Sequence, residues 1–323
     1  MSAIVRSLSS FFVVAVFTGT LAAPPLQAAE ALTVVRLGLL SSDNSANAYD
    51  AQELGFFKNA GLDVQITTLQ GGPVAAQSVA AGALDIGTAN IATIAAARIR
   101  GIPLKFIAPA SVSSPTTMTD VIVVARDSPF KTAADLNGKT FGINAIKALP
   151  QVSVSSWMDK HGGDSKTIKF AELAFSQMGP ALEAHRIDAA LEVEPFVTND
   201  KGVERALGPA IDGLAPRIMI LGFFASDAWL AGHADVATKF VTALRQASEW
   251  ANSHKRESGA ILSRYTKIEP SVVGAMARAE YGLTLDPAVI SPIVDGAVRY
   301  GIIEKRIPAA DLIWKRSASK ESE

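Results

Sequence analysis

The sequence predicts an α/β protein of two similar lobes, each a mostly parallel sheet flanked by helices, with a ligand cleft between the lobes and a helical C-terminal part. The first observation is an internal repeat: GPVAAQSVAAGALDIGTAN over 72–90 and GPALEAHRIDAALEVEPF over 179–196. Each copy opens on Gly-Pro, runs as a small apolar helix and ends in an Asp before a short apolar strand. Their Gly-to-Asp spacings differ by about four residues, roughly one helical turn. The second observation is the alternation of short β-rich runs with helical runs, the pattern of a parallel sheet covered on both faces. The third is a helix-only stretch after residue 234.

Element by element, TVVRLGLL at 33–40 is aliphatic and β-branched and ends at the turn-forming SSDNSAN, which predicts strand then loop. A helix over 48–59 follows, stopped by Gly61, then a strand over 62–67. Helix 73–81, strand 85–87, helix 91–100 and strand 104–109 complete the first run. DVIVVA at 120–125 is a strand, and a short helix, a stop at Gly138 and a strand at 140–143 come next. Helix 149–161, strand 168–172, helix 180–185 and strand 189–193 build the second lobe, and IMILGFF at 218–224 is the returning strand. Helices over 236–252, 258–265, 271–281 and 287–300 close the chain and are expected to pack back on the first lobe. The resulting division is a leader over 1–29, first lobe 30–120, second lobe 121–217, a return to the first lobe over 218–315, and a disordered polar tail over 316–323.

Composition narrows the function. Arg6 precedes an apolar run over 11–17 that is broken at 18–20, too short for the roughly 20 apolar residues of a membrane helix, so it reads as a secretory signal peptide cleaved between Ala28 and Ala31. The chain has no cysteine, which excludes a lipoprotein anchor and a disulfide framework. At 49% hydrophobic residues and a formal charge of −1, it carries no electrostatic footprint for nucleic acid. No HExxH or GxSxG motif occurs. Gly138, Lys139 and Thr140 lack the upstream glycine of a phosphate loop, where Ala133 stands instead. The four histidines, His161, His185, His233 and His254, are scattered, so neither a metal nor another cofactor is expected.

In open parallel sheets, ligands sit beyond the carboxyl ends of strands, facing helix N-termini. The segments that meet this description supply Asn44 and Tyr49 after the first strand, Gly71 and Gly72 after the second, Thr88 and Asn90 after the third, and Asn144 in the second lobe. Tyr49 offers a stacking face, and the glycines allow close backbone approach. One of Thr88 and Asn90 is expected to cap the following helix. Glu192 and Glu194 alternate on one strand end and so share a side; as acceptors they suit an amine or amidine-like ring. Asp85 and Asp188 precede their strands and read as structural braces.

AYDAQELGFFKNAGLDVQI, GGPVAAQSVAAGALDIGTAN, FKTAADLNGKTFGI and ALEAHRIDAALEVEPF, in that order, resemble the periplasmic substrate-binding proteins of ABC importers in the nitrate, sulfonate, taurine and thiamine-pyrimidine-precursor group, over about residues 32–224. The resemblance implies the type 2 periplasmic binding protein fold, hinge closure on a solute, a monomer in the periplasm, and delivery to an ABC permease in the inner membrane. It also implies ligand contact for Tyr49, Gly71, Gly72, Thr88, Asn90, Asn144 and Glu194. The first loop departs from the group, with SSDNSAN where aromatic or Pro residues are common. A eukaryotic branch of the fold is a Cys-rich enzyme, which this cysteine-free chain does not match. Among the candidate segments Lys147 is the one cation, against Asp43, Glu192 and Glu194, so an aminopyrimidine-like solute is placed ahead of sulfonate, taurine or nitrate. A periplasmic ligand sensor and a cofactor-free enzyme are the alternative functions.

Overall fold

The computed structural model describes residues 31–40, 42–113, 117 and 119–315. The expected leader and C-terminal tail lie outside them. No helix among the described residues is long and apolar enough to cross a membrane.

The strands, in chain order, are β1 Thr33–Leu40, β2 Leu62–Leu69, β3 Ile86–Ala89, β4 Leu104–Pro109, β5 Ser111–Val112, β6 Asp120–Ala125, β7 Thr140–Ile143, β8 Lys169–Glu172, β9 Ala189–Val193, β10 Glu204–Pro209, β11 Gly222–Ser226 and β12 Glu280–Tyr281. The helices are α1 Asn47–Glu53, α2 Phe56–Asn59, α3 Gly72–Ala80, α4 Ile91–Ile99, α5 Leu149–Lys160, α6 Phe175–Glu183, α7 Phe196–Asn199, α8 Asp227–Gly232, α9 Ala234–Ser253, α10 Lys255–Thr266, α11 Pro270–Ala275 and α12 Pro287–Arg299.

One five-stranded sheet has the order β2-β1-β3-β11-β4 and the other β10-β6-β9-β7-β8. Each is parallel but for a single reversed strand. In the first sheet β11 runs antiparallel to both β3 and β4, and in the second β6 runs antiparallel to β9 and β10. This reversal puts the N-terminal ends of β6 and β11 at the same edge as the C-terminal ends of their parallel neighbours: Asp120 pairs with Val193, and Gly222 with Ala89. Ligand-facing positions therefore precede these two strands and follow the others.

Helices cover both faces, as the alternating pattern predicts. On one face of the first sheet, Phe57 of α2 stacks on Phe240 of α9 at 5.0 Å between ring centroids, and Phe223 of β11 meets Phe240 edge-on at 5.8 Å. Burial of such a side chain is worth about 1.5–3 kcal/mol. The other face is packed by α3, α4 and α12, whose Ile290, Ile293 and Val294 are fully buried. That cluster also takes in Leu149 and Val152, so the C-terminal part reaches α5 of the second lobe as well as the first lobe. The second sheet lies between α5 and α6.

The two repeat copies share one brace. Asp85 accepts hydrogen bonds from the backbone N–H of Arg36 (2.8 Å) and from the guanidinium (3.0 and 2.6 Å), and its own N–H donates to the Arg36 carbonyl. Asp188 accepts from the Thr140 N–H (2.9 Å) and donates to the Thr140 carbonyl in the same way. Both aspartates tie their strand to a parallel neighbour at the edge away from the cleft.

Several expected boundaries move. The 48–59 helix breaks at Gly55, whose φ of 75° is left-handed, into α1 and α2. α6 begins at Phe175, five residues before the expected start, with Pro180 inside it; the Gln177 side chain accepts from the Ala174 N–H and fixes the earlier entry. The returning strand is shifted to 222–226, since 218–221 bond instead to the crossover: Ser113 N–H donates to the Ile218 carbonyl, and Ile220 N–H to the Ser111 carbonyl. The expected 271–281 helix ends at Ala275, and Glu280 and Tyr281 form β12 against β5. β10 has no counterpart in the sequence prediction; its ERALGP alternates poorly and ends in Gly-Pro.

Candidate functional site

Where the cleft edges of the two sheets meet lies a cavity of about 60 Å³. Leu40 ends β1, Asn90 follows β3, Asn144 follows β7, and Asp120 and Leu221 sit at or just before the reversed strands. Leu191 and Val193 of β9 and Phe175 of α6 supply apolar walls, with Leu149, Pro150 and Ser153 from α5. An apolar pocket with a few convergent polar groups is the usual form of a small-molecule site.

The polar side chains are Ser42, Asn44, Asn90, Asp120, Asn144 and Ser153, with several oxygens left unpaired. Asn44, in the 3₁₀ turn Asp43–Ser45, is buried, and its Oδ1 has no hydrogen-bond partner. The same holds for Asn144 Oδ1 and Ser153 Oγ. Such orphaned groups cost about 1–3 kcal/mol each unless something pairs with them. Asp120 accepts from Thr119 Oγ1 at 2.8 Å and is hydrogen-bonded by Asn44. Burial pushes its carboxyl up to about 6, against those two hydrogen bonds, which favour the charged form. No Lys or Arg is among the residues lining the cavity.

Asn90 is the N-cap of α4, accepting from the Thr93 N–H at 3.0 Å. The same Oδ1 accepts from the Leu149 N–H at 3.3 Å, so it joins α4 of the first lobe to the start of α5 in the second. Thr88, the other expected cap, is fully buried; its hydroxyl donates to the Gly38 carbonyl and accepts from the Leu40 N–H, extending the β1–β3 pairing by one rung.

Of the nine residues singled out in the sequence, the structure brings Asn44, Asn90 and Asn144 together on this cavity. The other six lie elsewhere. Tyr49 is in the core, its ring stacked on Tyr265 at 4.8 Å. Gly71 caps α3 in extended backbone, and at Gly72 a Cβ would come within 3.0 Å of Ala89 Cβ and 3.2 Å of its Cα, so this glycine serves helix-to-strand packing. Because Leu191 and Val193 face the cavity, strand alternation turns Glu192 to the opposite face. Glu194 accepts from Thr198 N–H (3.1 Å), Thr198 Oγ1 (2.9 Å) and, from the C-terminal part, Ala277 N–H (3.2 Å). Sequence reasoning missed Asp120 because it looked only past the carboxyl ends of strands, and β6 is reversed.

A model of the family described as NMT1/THI5 like matches residues 42–258. The chain belongs to that family. Among related sequences, the Bacillus subtilis (strain 168) protein YtlA is 25% identical over 313 residues, covering 90% of both chains. The formylaminopyrimidine-binding protein of Halalkalibacterium halodurans is 25% identical over 227 residues, covering 68% of this chain and 67% of the relative. Among solved structures, the ligand-binding component of an ABC-type import system from Staphylococcus aureus superposes with a TM-score of 0.77 at 19% identity, over 89% of this chain and all of that one. The alkanesulfonate-binding protein SsuA from Xanthomonas axonopodis pv. citri gives 0.74 at 19% identity, over 88% and 99%. These neighbours establish the periplasmic binding protein fold.

Proposed function

We propose that the chain is a solute-binding protein of an ABC-type import system, exported to the periplasm, and that it captures a small amino-substituted organic molecule, an aminopyrimidine being the leading class, for delivery to a membrane permease. The observation that carries this reading is the acceptor set on the cavity: Asn44 Oδ1 and Asn144 Oδ1 without partners, beside the buried carboxyl of Asp120, with no cationic side chain among the lining residues. Amino and ring N–H groups would satisfy these acceptors, and the apolar walls would hold a flat ring. A sulfonate or nitrate would meet the Asp120 carboxylate and no Lys or Arg among the lining residues. The formylaminopyrimidine-binding relative supports the same class. Catalysis finds no support in the cavity, whose one titratable lining side chain is Asp120.

Thermal-shift and calorimetric titration with aminopyrimidines, taurine, alkanesulfonates and nitrate test the reading. An aminopyrimidine at a hundred times its dissociation constant is expected to stabilise the protein by about 2.7 kcal/mol. A response to sulfonate or nitrate alone refutes the ligand class, and product formation from a bound compound refutes binding without turnover.

A further inference from the structure

The opposite face of β9 carries a second constellation, separate from the ligand cavity. Glu192 is 0% exposed and Glu204 is 2% exposed; the two carboxyl groups face each other, and no other residue donates a hydrogen bond to any of their four oxygens. Asp200 is half-buried beside them, and one oxygen from each of the three carboxylates lies within 4.8 Å of the others. Asp200 Oδ1 accepts from Asn199 Nδ2 at 2.7 Å. Its Oδ2 rests on Gly179 of α6, where a Cβ would stand 2.2 Å away, so the helix leaves room for that carboxylate.

Two carboxylates this deeply buried carry a desolvation cost of several kcal/mol each unless a cation or a proton answers them. We propose that Glu192, Asp200 and Glu204 bind one calcium ion in the second lobe. The donors are oxygens only, which suits a hard cation and not the nitrogen and sulfur ligands that zinc prefers. Calcium–oxygen bonds of about 2.3–2.6 Å place opposite ligands about 4.6–5.2 Å apart, and three oxygens within 4.8 Å fit one such sphere. The ion would tie β9 and β10 to the 194–204 connection, whose start also carries Glu194.

The test uses the full-length protein freed of metal with EDTA, titrated with calcium chloride by calorimetry and read in parallel by elemental analysis and thermal melting. One calcium per chain and a melting temperature raised by several degrees are expected. In the isosteric double variant E192Q/E204Q, the binding heat is lost, while melting in EDTA stays level or rises because two buried charges are gone. D200N, at a half-buried position, lowers calcium affinity at least tenfold in a folded chain. Failure of wild type to take up calcium at millimolar concentration, uptake of magnesium or manganese without calcium, or unaltered calcium binding in D200N would each overturn the assignment. None of these results bears on aminopyrimidine binding, which uses other residues.

Discussion

At Asp120, stability and the proposed binding role pull in opposite directions. Its carboxyl is raised to about 6 from an ordinary 3.8, so folding of the ligand-free chain shifts it toward the protonated form, although it is ionised at neutral pH. For an acid raised on folding, the stabilisation is fully present below the unfolded value and disappears as pH climbs through the folded value. The ligand-free protein therefore loses stability between about pH 4 and pH 6 through this group. The shift of about two pKa units corresponds to about 3 kcal/mol at most. Asp120→Asn, which keeps an acceptor for Thr119, should raise the ligand-free melting temperature at pH 8 and leave it nearly unchanged below pH 4, as a pH series of thermal melts would show. The same variant should weaken an aminopyrimidine at pH 7.5 by about tenfold, the effect of losing one charged hydrogen bond. Wild-type affinity should fall as pH drops below about 6, and the variant's should not. A pH-independent wild-type affinity would remove Asp120 from ligand contact. The three asparagines of the cavity could be read from their positions after β1, β3 and β7. Tyr49 could not, because aromatic residues suit a cleft and a core equally well, and here Tyr265, more than two hundred residues away in sequence, supplies the stacking partner.

At the scale of elements, local signals were accurate where they acted alone. β1, β4, β6 and β7 begin and end where their β-rich runs do, and Gly61, at φ 78°, stops α2. They failed where distant strands competed for the backbone, as at 218–221 and 276–281, which pair with the crossover or run beside it. Gly72 shows how a motif glycine can serve packing. Alanine at most helical positions stabilises relative to glycine by about 0.5–1 kcal/mol, but here the added Cβ meets Ala89 Cβ at 3.0 Å. Gly72→Ala should therefore destabilise by about 1–3 kcal/mol, the range for overpacking, measurable by urea unfolding with an unchanged m-value. A stabilised variant would show that α3 shifts freely on β3. On α12, Asp286 accepts from the Ala288 N–H at 2.8 Å, with Pro287 at the first helical position. Asp286→Ala should cost about 1 kcal/mol, as removal of an N-cap usually does; denaturant midpoints would check it.

A short strap from the C-terminal part links loops of the two sheets. Ala279 N–H donates to Asp43 Oδ2 at 2.5 Å, and Arg278 pairs with Asp43 at 2.8 Å, both buried against the first lobe. Two residues earlier, Ala277 N–H donates to Glu194 of the second lobe at 3.2 Å. Asn90 adds a second link across the lobes through the Leu149 N–H. The cavity of about 60 Å³ holds a few waters, each needing about 10–15 Å³ by the same measure, so on the proposed function these links would have to break to admit a pyrimidine-sized ring. The sequence repeat announces two lobes but not this strap, since nothing local marks residues 276–279 as the place where both lobes meet. Glu194→Ala removes one link without touching the cavity wall. A hydrogen bond of this kind contributes about 0.5–1.5 kcal/mol, and apparent affinity scales with the fraction of binding-competent, closed molecules. The variant should bind its ligand about 2- to 10-fold more weakly, chiefly through faster dissociation, and small-angle scattering should show a larger radius of gyration at subsaturating ligand. If instead Glu194 contacts the ligand directly, Glu194→Gln, which can still accept from Ala277, will lose as much affinity as Glu194→Ala; if the carboxylate acts as a clasp, the glutamine variant will retain most of it.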